Sequence, residues 1–142
     1  MLKRPELLSP AGNLTKLKIA LEYGADAVYG SVASFSLRTR SAREFNLETF
    51  KEAIDYTHEK GKKFYATINA FPFNSQIEPL KRHLQTISAM KPDAFIIATP
   101  GVMSLAKAIA PDIEIHLSTQ ANVMNVLDAK IYHDMGAKRI VV

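Results

Sequence analysis

The segment His116-Leu117-Ser118-Thr119-Gln120-Ala121-Asn122 holds the densest run of reactive and hydrogen-bonding side chains in the chain. On an extended backbone, alternate residues share a face, so His116, Ser118 and Gln120 stand together with Glu114 while Ile115 and Leu117 point the other way. An imidazole there can act as a general acid or base or as a metal ligand, and the bland alternative is a hydrogen-bonded interior histidine. Ser118 and His116 have no acidic orienter on the neighbouring segments, so a serine triad lacks support. A second set, Arg38, Arg40 and Arg43, lies in the segment from Ser31 to Phe45. Guanidinium groups clamp carboxylates and phosphates through paired hydrogen bonds, and the alternative is a solvated surface or pairing with Glu44 and Glu48. Arg38, flanked by apolar residues in Phe35-Ser36-Leu37-Arg38, is the strongest of the three for binding.

Tyr29, Phe35, Tyr65 and Phe71 have rings that can stack on a base, although aromatic residues in β runs usually fill a core. Tyr29 is the exception, because its hydroxyl would reach the end of its strand. The remaining histidines, His58, His83 and His133, fall on helical segments and are expected on exposed faces. No HExxH, CxxC or P-loop pattern is present and no metal site is expected. The chain has no cysteine, which excludes disulfides, thiolate metal sites and a cysteine nucleophile within it.

These residues need elements to position them. β-rich runs recur at Glu6 to Ser9, Asp26 to Tyr29, Lys63 to Asn69, Ala94 to Thr99, Glu114 to Thr119 and Lys138 to Val142. Between them apolar residues return at helical spacing: Leu14, Leu17 and Leu21; Leu47, Phe50, Ile54 and Thr57; Ile77, Leu80, Leu84 and Ile87; Val102, Leu105, Ala106 and Ile109; and a last helix from about Val126 to Met135. Asn13, Asn46 and Asn125 read as N-caps, and Gly24, Gly61 and Gly136 as helix stops. The junction of helix end, glycine and strand repeats as YGADAV, KGKKFY and MGAKRI, with MKPDAF as a proline variant.

The fold class predicted is α/β, a parallel (β/α) TIM-barrel-like arrangement. Strand parity decides between this and an open doubly wound sheet. Phe64, Ala66 and Ile68 oppose Tyr65, Thr67 and Asn69, and a strand with one apolar and one mixed polar face suits a barrel wall. The count is about six strands and five helices, whereas a complete eightfold barrel takes about 250 residues. The chain is therefore expected to be a single domain over 1–142, the N-terminal portion of a longer barrel with its C-terminal remainder absent, and inactive alone. A compact six-stranded α/β domain is the alternative. Open sheet edges in such a fragment invite self-association. Ligands of a barrel bind at the carboxyl ends of its strands, which here gather Gly12, Tyr29, Thr67, Asn69 and the segment from His116 to Asn122.

Composition sets bounds. The 142 residues are 47% hydrophobic and 23% charged, which fits one globular core and excludes a coiled coil or a disordered tail. The longest apolar stretch, Ala94 to Ala98, is far shorter than the roughly 20 residues of a membrane helix, and no apolar run follows Lys3 and Arg4 as a signal peptide requires. A cytoplasmic protein without membrane contact is expected. The net charge of +4 and pI near 9.3 are compatible with RNA or an anionic ligand and with many ordinary enzymes.

PELLSPAGN, YGADAVY, FSLR and HLSTQAN, in this order and spacing, resemble peptidase family U32, the collagenase-like proteases. The resemblance extends over essentially the whole chain and implies a barrel-like α/β domain at the start of a longer protein. It also implies a divided set of activities. The family is named for collagen degradation, yet bacterial relatives are required for oxygen-independent hydroxylation of a tRNA uridine, an rRNA cytidine or a quinone precursor. Some of those carry an iron–sulfur cluster on later cysteines, and one group uses prephenate. Neither cofactor is expected in this segment. The family-like positions are Glu6, Pro10, Ala11, Gly12, Asn13, Ala27, Tyr29, Arg38, Asn69, His116, Ser118, Thr119, Gln120 and Asn122. After Tyr29 the chain departs, with Gly30-Ser31-Val32 where the family usually has a leucine and two glycines.

The expected function is RNA modification by base hydroxylation, with tRNA or rRNA as partner. A peptidase acting on a peptide substrate is the alternative, and a non-catalytic ligand-binding subunit a third. His116, Ser118 and Gln120 are the expected catalytic residues. Arg38, Tyr29, Asn69, Asn122, Thr119 and Gly12 are the expected substrate-binding ones.

Overall fold

A computed structural model describes residues 3–33, 35 and 45–142. Six parallel strands, β1 (Leu8–Pro10), β2 (Ala27–Gly30), β3 (Lys63–Ile68), β4 (Ala94–Ile97), β5 (Glu114–Leu117) and β6 (Ala137–Ile140), alternate with α1 (Leu14–Glu22), α2 (Leu47–Glu59), α3 (Ile77–Ala89), α4 (Pro100–Ile109) and α5 (Val126–Asp134). Strands pair strictly in chain order, β1-β2-β3-β4-β5-β6. Because parallel crossovers are right-handed, a sheet that always steps in the same direction puts every helix on one face. The other face is left to curl on itself, which is the geometry of a (β/α) barrel.

Local sequence builds these elements as expected. The side chain of Asn13 accepts the Lys16 N–H at 2.9 Å, that of Asn46 accepts the Thr49 N–H at 2.8 Å, and Asn125 accepts those of Leu127 and Asp128 at 2.9 and 3.0 Å. Each bond satisfies a donor that the first helical turn leaves open. Gly24, Gly61 and Gly136 end their helices at φ 98°, 69° and 107°. At the proline-containing junction Lys91 takes that left-handed conformation itself, at φ 59°. The aspartates of two junctions staple the bottom of the sheet: Asp26 accepts the Leu7 N–H at 2.9 Å and Asp93 the Phe64 N–H at 2.8 Å.

The helices bury Leu17, Phe50, Ile54, Leu84, Ile87 and Met103 against Val28, Phe64, Ala66, Ile68, Phe95, Ile97, Ile115 and Leu117 of the sheet. A separate cluster of Ala27, Tyr65, Ala94 and Ile96 lines the inner face. The parity read from the sequence thus holds for β3 and β5. Helix α5 differs from the others in burying no residue, and Leu127 and Ile131 are exposed on it.

Some boundaries differ from expectation. β1 starts two residues later than Glu6, and a 3₁₀ turn (Asn74–Gln76) precedes α3. β5 stops at Leu117 instead of running to Thr119, because the Ser118 hydroxyl accepts the Gln120 backbone N–H and turns the chain into a 3₁₀ turn (Thr119–Ala121). Asn122, left-handed at φ 57°, closes that turn. At Gly30 a Cβ would stand 2.7 Å from the Ala11 carbonyl oxygen and 2.9 Å from the Phe45 ring, so only glycine admits this approach.

Candidate functional site

The carboxyl ends of the strands enclose a cavity of about 370 Å³. Its wall runs from Pro10, Ala11 and Gly12 after β1, through Tyr29, Gly30 and Ser31 at β2, to Thr67 and Asn69 at β3 and Ser118, Thr119 and Gln120 after β5. Leu8, Ile96 and Val141 complete it with apolar surface. Six of the expected site residues, Gly12, Tyr29, Asn69, Ser118, Thr119 and Gln120, therefore meet around one space. Asn122 is not part of that wall. Arg38, with Arg40 and Arg43, lies outside the described residues.

The polar groups of the wall are tied together. Asn69 Nδ2 donates to Gln120 Oε1 at 3.2 Å, and the Ser118 hydroxyl donates to the same oxygen while accepting the Gln120 backbone N–H. Beside them Thr67 Oγ1 is fully buried and has no hydrogen-bond partner among the described residues. A buried hydroxyl left unpaired is costly, and binding sites are where such costs persist, because a ligand supplies the missing bond.

His116 is not on the rim. It is 2% exposed, one layer further inside, with its ring edge-on to Tyr65 at 4.6 Å and Nε2 3.1 Å from Glu114 Oε2. Burial holds its pKa below the usual histidine range despite the pull of Glu114, so the ring is neutral at pH 7. The strand ends at Leu117, which makes Ser118 the first residue of the rim and leaves His116 in the interior.

Around His116 lies a network that sequence reasoning missed. The Tyr65 hydroxyl donates to both Glu6 carboxylate oxygens, at 3.0 and 2.9 Å, and Arg139 Nη1 donates to Glu6 Oε1 at 2.7 Å. The Arg139 guanidinium also stands 5.4 Å from the Tyr65 ring centroid. Burial alone would raise the Glu6 pKa, but the bonds from Arg139 and Tyr65 outweigh it and hold the carboxyl below its usual range. Burial and then the bond to Glu6 push the Tyr65 phenol up to about 12. Tyr65 looked like core filler, and the sequence separation of 133 between Glu6 and Arg139 hides their pairing. The signal available was parity: Arg139 is the register partner of His116 across β5 and β6.

The other aromatic and histidine residues take structural places. Phe71 is exposed, Phe35 is buried, and His83 is half-buried against Phe35 at 5.0 Å rather than solvated. His58 bonds Asp93 at 2.8 Å, and His133 is exposed as expected.

Among the described residues the cavity wall contains no Asp, Glu, Lys, Arg or His, and Tyr29 is the one titratable side chain there. Amides and hydroxyls on apolar walls recognise a neutral ligand through hydrogen bonds. The Ser118 proton is engaged by Gln120, and no imidazole or carboxylate among the described residues stands ready to take it. Among the described residues no three His, Cys, Asp or Glu side chains gather as a metal site.

The model of peptidase family U32 matches residues 12–142. The chain belongs to that family. It is 67% identical over 136 residues to tRNA hydroxylation protein P of Helicobacter pylori, a match covering 96% of this chain and 32% of that protein. It is 33% identical over 138 residues to the 23S rRNA 5-hydroxycytidine C2501 synthase of Escherichia coli, covering 97% of this chain and 20% of that protein. The chain thus spans about a third or less of the length of these curated relatives. Among solved structures, the U32 peptidase Mk0906 superposes with a TM-score of 0.79 at 17% identity, over all of this chain and 61% of that one. That similarity shows the shared barrel fold.

Proposed function

We propose that the protein belongs to an RNA-modifying enzyme that hydroxylates a base of tRNA or rRNA, and that this cavity receives the base. The observation that carries the reading is the cavity wall itself, which combines neutral donors and acceptors with apolar surface and the Tyr29 ring. A nucleobase presents the same mixture, a planar apolar face edged by carbonyl, amino and imide groups. Enzymes acting on a base draw it out of its stack into such a pocket. The volume lies at the lower end of the roughly 300–1,000 Å³ range of small-ligand sites, which suits one extruded base better than an extended peptide. The names of the relatives support the same reading.

In this role Tyr29, Thr67, Asn69, Ser118, Thr119 and Gln120 bind and orient the base, and Gly12 lets the backbone of the first loop approach it. His116 supports the floor of the cavity from the layer beneath. Arg38 is proposed to hold an anionic group, a phosphate of the RNA or a carboxylate such as that of prephenate. Replacing a ring C–H by C–OH is a two-electron oxidation, and an iron–sulfur cluster does not fit this segment, which has no cysteine to bind one. No helix among the described residues is long and apolar enough to cross a membrane, and a cytoplasmic location follows from an RNA substrate. The edges β1 and β6 are proposed to pair with further chain or with a second copy.

The test is nucleoside mass spectrometry of tRNA and rRNA from the source cell with the gene intact, deleted and restored. A hydroxylated pyrimidine that disappears on deletion and returns on restoration is the expected result. RNA that is identical in all three strains overturns the reading.

A further inference from the structure

We infer that Gln120 is a specificity-determining residue of the cavity, and that its carboxamide is locked so that it offers N–H, not C=O, to the ligand. A glutamine side chain is ambivalent, with a carbonyl that accepts and an amino group that donates, and it discriminates only when its orientation is fixed. Here two donors converge on the same end. Asn69 Nδ2 reaches Gln120 Oε1 at 3.2 Å, and the Ser118 hydroxyl donates to it as well. The Ser118 oxygen also accepts the Gln120 backbone N–H, which holds the hydroxyl beside the amide. Rotating the amide by half a turn would set the Gln120 amino group against the Asn69 amino group and lose that bond, and would force the Ser118 hydroxyl to turn from donor to acceptor. The free end is therefore Nε2, which has no partner among the described residues and belongs to a side chain on the cavity wall.

A presented N–H selects a carbonyl oxygen. This inference rests on the base-binding reading above and deepens it. Uracil and cytosine differ on the pairing edge at N3, which carries hydrogen only in uracil, and at C4, a carbonyl in uracil and an amino group in cytosine. An N–H facing the C4 group accepts uracil and meets the cytosine amino group donor to donor. The unpaired Thr67 hydroxyl in the same wall can donate or accept and is indifferent to the choice. Discrimination then falls to Gln120, with Asn69 and Ser118 as its positioning residues.

Gln120→Glu is the decisive variant. A carboxylate of the same shape keeps the bonds from Asn69 and Ser118 but presents an acceptor where the amide presented a donor. The complete protein is returned to a deletion strain as wild type, Gln120→Glu or Ser118→Ala, and hydroxylated uridine and cytidine are counted by mass spectrometry. In parallel, binding is measured to two stem-loop RNAs that differ only in a U or a C at one loop position. The expected result is that wild type prefers the U loop and that Gln120→Glu loses about 10- to 100-fold on it while losing little or gaining on the C loop. Ser118→Ala is expected to weaken the preference without reversing it. Equal losses on both loops would show a general structural role and overturn the inference, as would unchanged preference in Gln120→Glu. Wild type that modifies and binds neither RNA overturns the base-binding reading and this inference with it. Circular dichroism of each variant confirms the fold, which a rim substitution leaves intact.

Discussion

Tyr65→Phe isolates one interaction in the interior of the barrel. The ring is 1% exposed and stays in place against His116, so no cavity opens, and the change removes only the hydroxyl that donates to Glu6 at 2.9 and 3.0 Å. A hydrogen bond to a charged acceptor contributes about 1.5–3 kcal/mol. Glu6 keeps its 2.7 Å bond from Arg139 and is partly exposed, which discounts the loss to about 1–2 kcal/mol. For a protein of this size that is a fall in Tm of roughly 3–8 °C at pH 7. The pH dependence follows from Glu6. Its folded pKa is depressed below 4.5, so its contribution is fully present above pH 4.5 and is lost as pH falls through the folded value. The gap between wild type and Tyr65→Phe should therefore narrow on acidification from pH 7 to below 4. Differential scanning fluorimetry or urea unfolding across that range measures it. Equal stability of the two proteins at pH 7, or a gap that stays constant into acid, refutes the reasoning.

Three further outcomes are expected. Thr67→Val removes a buried hydroxyl that has no partner, so stability should hold or rise by up to about 1 kcal/mol while ligand affinity falls, a split that parallel urea unfolding and RNA binding would expose. Gly30→Ala places a methyl group 2.7 Å from the Ala11 carbonyl oxygen and should cost about 1–3 kcal/mol and deform the cavity wall, read as lower Tm together with weaker binding. His116→Gln should flatten the pH profile of stability. Burial depresses the His116 pKa below 6.5, so the unfolded chain takes up the proton first and stability falls as pH drops below about 6.5. Unfolding series at pH 7 and 5.5 on both proteins give the difference.

The alternation of Phe64, Ala66 and Ile68 with Tyr65, Thr67 and Asn69 was enough to read one wall of a barrel, because the pleat repeats every two residues whatever lies elsewhere. The asparagine caps were legible for the same reason, since each bonds within its own first turn. Lys91 was less so, as its left-handed backbone carries no glycine to announce it. The end of β5 depended on one local bond, from the Gln120 N–H to the Ser118 hydroxyl, and reading the segment as continuous strand moved His116 nearer the rim than it lies. Gln120 was expected to act in catalysis, and its bonds with Asn69 and Ser118 are the observation from which a recognition role is proposed. That triangle joins β3 to the loop after β5 and has no trace in local spacing.

The strict chain order of the sheet also bears on how the protein is made. Each strand has its partner already present when it leaves the ribosome, since β2 pairs with β1, β3 with β2, and so on to β6. Growth by addition to a standing edge keeps loop closures short and folding fast. The bond from Arg139 to Glu6 breaks that pattern, because it joins residues 133 positions apart. It can form only after the last strand has docked, and in a nascent-chain experiment a probe pair at these two positions would report completion of the curled sheet after all the neighbouring strand pairs have registered.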